Sequence, residues 1–223
     1  MKTRRFFPCG TARLLGRLLA CLALFLSCSQ AEPRVVRAVI SLVYYQSQTG
    51  VEAAYSFFVL PEDDDGIKDL DTLYLYHDKD ELVWQLGSED WISVDVDGKA
   101  WIGSRGISMS DGLPLPRGQF RAVLADKGGS SGERTFAFDG PPGGRPFPVF
   151  TVSGGQYHVE SSYPAHSLLW YDESGENIGS SVLAALDGNL VDLGFPPESR
   201  SAALWAEDAE HYTSALTQVL PLD

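Results

Sequence analysis

From Val35 onward, hydrophobic residues recur with a period of two, in short runs cut by Gly, Asp and Pro, and no long 3.6-residue period interrupts them. A period of two sends successive side chains to opposite faces, which is how a strand with one buried face reads. Residues 35–45 (VVRAVISLVYY) are β-branched and aromatic, and 55–60 (YSFFVL) form an apolar run that ends at Pro61. Residues 73–76 and 82–86 flank the acidic turn 77–81. Residues 91–96 alternate, and Asp97-Gly98 turns the chain into 99–102. Asp-Gly between alternating runs is a strong hairpin signal, because a type I′ turn needs positive φ twice. Residues 120–125 and 134–138 read as a further hairpin around a Gly/Ser loop. Strands are also expected at 147–152, 157–160, 168–171, 183–186, 190–193, 202–205 and 214–220. A helical turn competes only at 180–187 and 207–212. The expected fold class is all-β.

The stretch 139–146 (DGPPGGRP) cannot hold a helix or an inner strand. It predicts a linker at 141–146 between domain 1 (34–140) and domain 2 (147–223). Charge changes character across it: residues 34–140 hold 10 basic and 18 acidic residues, whereas 145–223 hold only Arg145 and Arg200 against 11 acidic residues.

The two parts echo each other. Residues 72–86 and 167–181 each read as an aromatic strand, an acidic turn and another strand, and 119–138 and 201–220 each read as a closing hairpin. Short strands at this spacing suggest antiparallel β-sandwiches. The chain resembles two tandem immunoglobulin-like or fibronectin-like modules. The phrase 115–120 (LPRGQF), followed by a strand and Asp126, is similar to the penultimate strand of extracytoplasmic bacterial modules of that type.

Residues 1–27 read as a signal peptide. Lys2, Arg4, Arg5, Arg13 and Arg17 are basic, no acid precedes Glu32, and 18–27 (LLACLALFLS) form a short apolar core. That core is about half of the ~20 residues a bilayer-spanning helix needs. Phe25-Leu26-Ser27-Cys28 resembles the lipobox of bacterial lipoproteins, with Phe25 where Leu is usual. The resemblance implies diacylglyceryl transfer to Cys28, cleavage before it, a tether at 28–33 and an extracytoplasmic protein held to the bacterial cell envelope by lipid. Two alternatives stand. Leu18-Leu19-Ala20-Cys21 matches the motif but follows a run broken by Arg17, and cleavage after Ala31 would release a soluble form. All three Cys (9, 21 and 28) lie in this region, so no disulfide can staple the exported part. The signal holds 5 of the 17 basic residues and none of the 30 acids, leaving 12 against 30, a formal net charge of −18. Such a surface repels nucleic acid and anionic headgroups, so membrane attachment falls to acyl chains.

Candidate chemistry is sparse. Gly128-Gly129-Ser130-Ser131-Gly132 matches the G-x-S-x-G nucleophile elbow, but that elbow joins a strand to a helix and both flanks here read as strands. Residues 62–66 (EDDDG), with Asp69 and Asp71, concentrate carboxylates without the ligand spacing of an EF-hand, as do Asp95 and Asp97 before Gly98. His77 with Asp78 and Asp80, and His211 with Glu207 and Asp208, lack zinc spacing. Trp84, Trp91 and Trp101 would offer a sugar-stacking face if two shared an exposed side; the core is the other place for them. No catalytic, cofactor or metal residue is selected. The expectation is a non-enzymatic, lipid-anchored envelope protein that binds a protein or glycan partner. The alternatives are a hydrolase of envelope polymers and a calcium- or carbohydrate-binding module.

Overall fold

The computed structural model describes residues 31–47, 50–110, 113–140 and 145–222, so Cys28 and the expected signal lie outside the described residues. The chain is all-β, with three short 3-10 turns and no α-helix among the described residues. Its organising element is β1 (Arg34–Ser47), which pairs along its length with β2 (Gly50–Glu62). β6 (Lys99–Ile107) adds to β2, and β5 (Ile92–Val96) adds to β6 across the Asp97-Gly98 turn. Both turn residues take positive φ, 54° and 72°, as the dipeptide predicts. A second sheet runs in the order β4 (Leu82–Gly87), β3 (Leu70–His77), β7 (Gly118–Asp126), β8 (Ser131–Phe138). The two sheets enclose a core of Tyr55, Phe57, Leu73, Leu75, Ile102, Phe120 and Leu124, each at most 1% exposed.

After residue 144 the scheme is repeated. β9 (Val149–Ser153), β10 (Gln156–Glu160) and β13 (Asp187–Asn189) form a small sheet in the order β13-β10-β9. Opposite it lie β12 (Asn177–Val182), β11 (Ala165–Tyr171), β14 (Ser201–Asp208) and β15 (Thr213–Leu216), with β16 (Leu220–Pro221) against the start of β14. The second core holds Trp170, Leu168, Leu204 and Ala206, all fully buried, with Val159 and Tyr157 from the small sheet.

Two readings of the sequence are corrected here. Residues 183–186 and 190–193 are not strands: Leu190–Leu193 is a 3-10 turn, and Leu183 and Leu190 are buried because they plug the second core from a loop. The strand in this region is β12, whose Gly179, Ser180 and Ser181 carry no hydrophobic signal because it is an edge strand. Pairing is also not antiparallel throughout. β15 lies parallel to β1, with Leu42, Val43, Tyr44 and Tyr45 opposite Thr213, Ser214, Ala215 and Leu216. This ladder fuses β12-β11-β14-β15 to β1-β2-β6-β5 in one nine-stranded sheet. Both smaller sheets pack on the same face of it, and Tyr44, beside the junction, packs against both cores.

Candidate functional site

The back of the nine-stranded sheet belongs to neither core. On β1 the even-numbered Ile40 and Leu42 enter the first core, so Val39, Ser41, Val43 and Tyr45 face the back. On β14, Leu204 and Ala206 enter the second core and Trp205 and Glu207 face the back; on β11, Leu168 and Trp170 point inward and Leu169 and Tyr171 outward. Register aligns these positions. Tyr45 stands opposite Leu216, Leu216 opposite Trp205, and Trp205 opposite Ser167, a row that crosses the junction. A groove of about 670 Å³ follows this row, and Arg105, Asn177 and Tyr212 also line it.

The groove's aromatic rings are held by their edges. The Tyr45 hydroxyl donates to the Arg105 carbonyl at 3.1 Å, and the Trp205 indole N–H donates to Glu207 Oε2 at 3.3 Å. Burial pushes the Tyr45 phenol above its usual pKa, partly offset by the Arg105 charge, and does the same at Tyr171. Asn177 donates to the carbonyls of Trp170 and Gly179, at 3.2 and 3.3 Å, filling the irregularity between β11 and β12. Ser41, Ser56 and the Arg105 guanidinium have no hydrogen-bond partner among the described residues.

Beneath one end of the groove lies an ionic knot. Asp208, only 2% exposed, accepts from Arg145 Nε and Nη2 at 2.8 and 2.6 Å and stands 2.9 Å from His211 Nδ1. Burial pushes this carboxyl up, but the hydrogen bonds from Arg145 and His211 outweigh it and hold the pKa below the usual value. Arg145 also donates to the Ser162 carbonyl at 2.7 Å. On the other side of residues 141–144, Arg117 donates to the Gly140 carbonyl. Both ends of the expected linker are therefore tied down.

The residues singled out in the sequence fall elsewhere. Trp84 and Trp91 pack against the first core, and the Trp84 indole donates to the Ser108 carbonyl at 3.0 Å. Trp101 sits on β6 with the Arg37 guanidinium 6.0 Å from its ring centroid, so the three indoles do not share a face. Ser130 lies in the β7–β8 hairpin, where its N–H donates to Asp126 Oδ1 at 2.8 Å, and strands flank it on both sides. His77 is buried against Phe120, its Nε2 3.0 Å from the Arg117 carbonyl; Asp80 Oδ2 lies 3.1 Å from Nδ1 without the alignment of a hydrogen bond. Asp63 and Asp65 shape their own loop, Asp63 Oδ1 accepting from the Asp65 N–H at 3.0 Å. No group of three His, Cys, Asp or Glu is arranged to hold a metal among the described residues.

A feature not singled out in the sequence is a polar row on the small second sheet. Thr151 stands opposite His158, and His158 opposite Asp187. His158 Nδ1 is 2.5 Å from Asp187 Oδ1, and this bond, with Glu160 nearby, raises the imidazole pKa. No hydrogen bond joins Thr151 to the ring among the described residues.

No protein-family model matches the chain, and no curated protein matches it in sequence. Among solved structures it is similar to Tp47, the 47-kilodalton lipoprotein of Treponema pallidum, with 15% identity and a TM-score of 0.41 over 86% of this chain and 52% of that one. It is also similar to dimeric latent PorU from Porphyromonas gingivalis, with 12% identity and a TM-score of 0.34 over 87% of this chain and 21% of that one. The chain thus spans about half the length of the first and a fifth of the second.

Proposed function

We propose that this is a lipid-anchored protein of the bacterial cell envelope that binds rather than catalyses, through two tandem immunoglobulin-like modules and the groove that joins them. The strand orders support the module reading. In the first module β1-β2-β6-β5 faces β4-β3-β7-β8; numbered A to G with a C′ strand, that is A-B-E-D against C′-C-F-G. In the second, β9-β10-β13 faces β12-β11-β14-β15, or A-B-E against C′-C-F-G. The echoed segments of sequence fall on equivalent hairpins, β3–β4 with β11–β12 and β7–β8 with β14–β15.

The observation that carries the binding reading is the groove. The solvent face of a one-sided sheet is ordinarily polar. This one instead concentrates Tyr45, Leu169, Tyr171, Trp205 and Leu216 where two modules meet, and Trp, Tyr and Arg dominate the energetics of recognition surfaces. Cys28 supplies the anchor, and a diacylated residue meets the two-chain requirement for stable attachment.

Two measurements test this. The native protein should partition into detergent and Cys28→Ser into water or as an uncleaved precursor, while Cys9→Ser and Cys21→Ser change nothing. Normal maturation of Cys28→Ser would exclude the anchor, and loss of anchoring in Cys21→Ser alone would move it to Cys21. The soluble mature chain should also co-sediment with washed cell-envelope fragments, and Trp205→Ala should abolish that. Equal sedimentation of the variant would remove the groove from the function.

A further inference from the structure

We propose that the groove takes a neutral, β-linked oligosaccharide, laid across the strands with its ring faces on Trp205 and Tyr45. This rests on reading the groove as the binding surface. A pyranose with equatorial hydroxyls presents an apolar face of axial C–H bonds, whose positive hydrogens suit the negative π-face of an indole or phenol. Trp205 and Tyr45 stand on β14 and β1 with β15 between them. Two strand spacings put them about 10 Å apart. In a β-1,4-linked ribbon of gluco configuration, alternate rings present the same face. Rings one and three can therefore stack on Trp205 and Tyr45 while the second lies over Leu216. An α-linked chain coils and cannot lie flat along this row.

The remaining chemistry agrees. Both rings are already fixed at their edges by Glu207 and the Arg105 carbonyl, so stacking freezes little additional motion. No other ring covers Tyr45, Tyr171, Trp205 or Tyr212 among the described residues. Ser41, Ser56 and Arg105 offer unpaired groups to the sugar hydroxyls. Among the charged lining residues Arg105 balances Glu207, Asp208 is paired with Arg145, and a mature net charge of −18 repels a polyanionic glycan. The groove is not built for hydrolysis, which needs two carboxylates flanking the scissile bond. Both groove carboxylates are otherwise engaged: Glu207 holds the Trp205 indole, and Asp208, 2% exposed, is hydrogen-bonded by Arg145 and His211.

The test is calorimetric titration of the full mature chain carrying Cys28→Ser with the β-1,4-linked hexamers of glucose and of N-acetylglucosamine, and with α-linked maltohexaose. At least one β-linked hexamer should bind. Trp205→Ala and Tyr45→Ala should each weaken it 10-fold or more with unchanged melting temperature, and Trp101→Ala should leave it unchanged. Maltohexaose should give no heat. Silence toward both β-linked hexamers, indifference to the two groove substitutions, or equal binding of maltohexaose would overturn the proposal. If the hexamers are silent but Trp205→Ala still abolishes sedimentation with envelope fragments, the glycan assignment falls and the groove stands, with a protein segment as its occupant. If sedimentation is also unchanged, both fall.

Discussion

At the scale of single residues, the most consequential group is Asp208, a carboxylate 2% exposed that is stable because Arg145 and His211 reach it. Its folded-state pKa lies below the unfolded value, so its contribution is complete above about pH 4 and is lost as pH falls through the folded-state value. Arg145→Met should lower the melting temperature at pH 7, and the gap to the native protein should narrow below about pH 4 and close once pH has passed the lowered folded-state value, where a protonated carboxyl no longer needs the guanidinium. A gap that stayed constant with pH would assign Arg145 a packing role instead. Gly132 makes a second case. Read in sequence, it ends a nucleophile-elbow pattern; in the fold, a Cβ there would overlap the Pro33 carbonyl where β8 passes the start of β1. Gly132→Ala should therefore destabilise by about 1–3 kcal/mol, the usual range for overpacking. Chemical denaturation measures it directly, and a neutral result would show that Pro33 can move aside.

At the scale of elements, individual strands were legible and their long-range partners were not. The β-branched and aromatic run 35–45 announced β1, and the spacing of Arg37 and Ser41 marked its outward side, which Val43 and Tyr45 share. Residues 202–205 announced β14 in the same way. Nothing in either segment says that β15, four residues long and about 170 positions from β1 in sequence, inserts between them. The groove is made only by that insertion, so Trp205 and Tyr45 had no visible relation, whereas Trp84, Trp91 and Trp101 drew notice by sequence proximity alone. Edge strand β12 was visible only through the echo of 72–86 in 167–181 and not through its own composition, because a strand with one neighbour can be built of Gly and Ser. The short ladder should nevertheless be firm. The Leu42 N–H donates to the Tyr212 carbonyl at 2.8 Å, and Leu42 is 4% exposed. Its amide should exchange with solvent as slowly as the amides of central strand β2, and fast exchange at Leu42 with protection at Phe57 would show the junction opening independently.

At the scale of the whole molecule, the linker is not where the two halves are held together. Cutting a protease site placed within residues 141–144 should yield two fragments that co-elute in gel filtration and separate only in denaturant, because the β1–β15 ladder, Tyr44 and the shared sheet survive the cut. Fragments that separate in native buffer would mean that the covalent connection carries the junction. The parallel ladder has a further consequence, one of timing. Synthesis delivers β1 long before β15, so one side of β1 is an unpaired edge until residues 213–216 arrive. Exposed edges are templates for pairing with other chains. The first sandwich can be completed early, but its longest strand waits for a partner far away in sequence. Contacts of such separation close slowly. The chain is thus most vulnerable to mispairing with its own copies while β1 is made and residues 213–216 are not, and the four residues that complete the groove are also the ones that end that exposure.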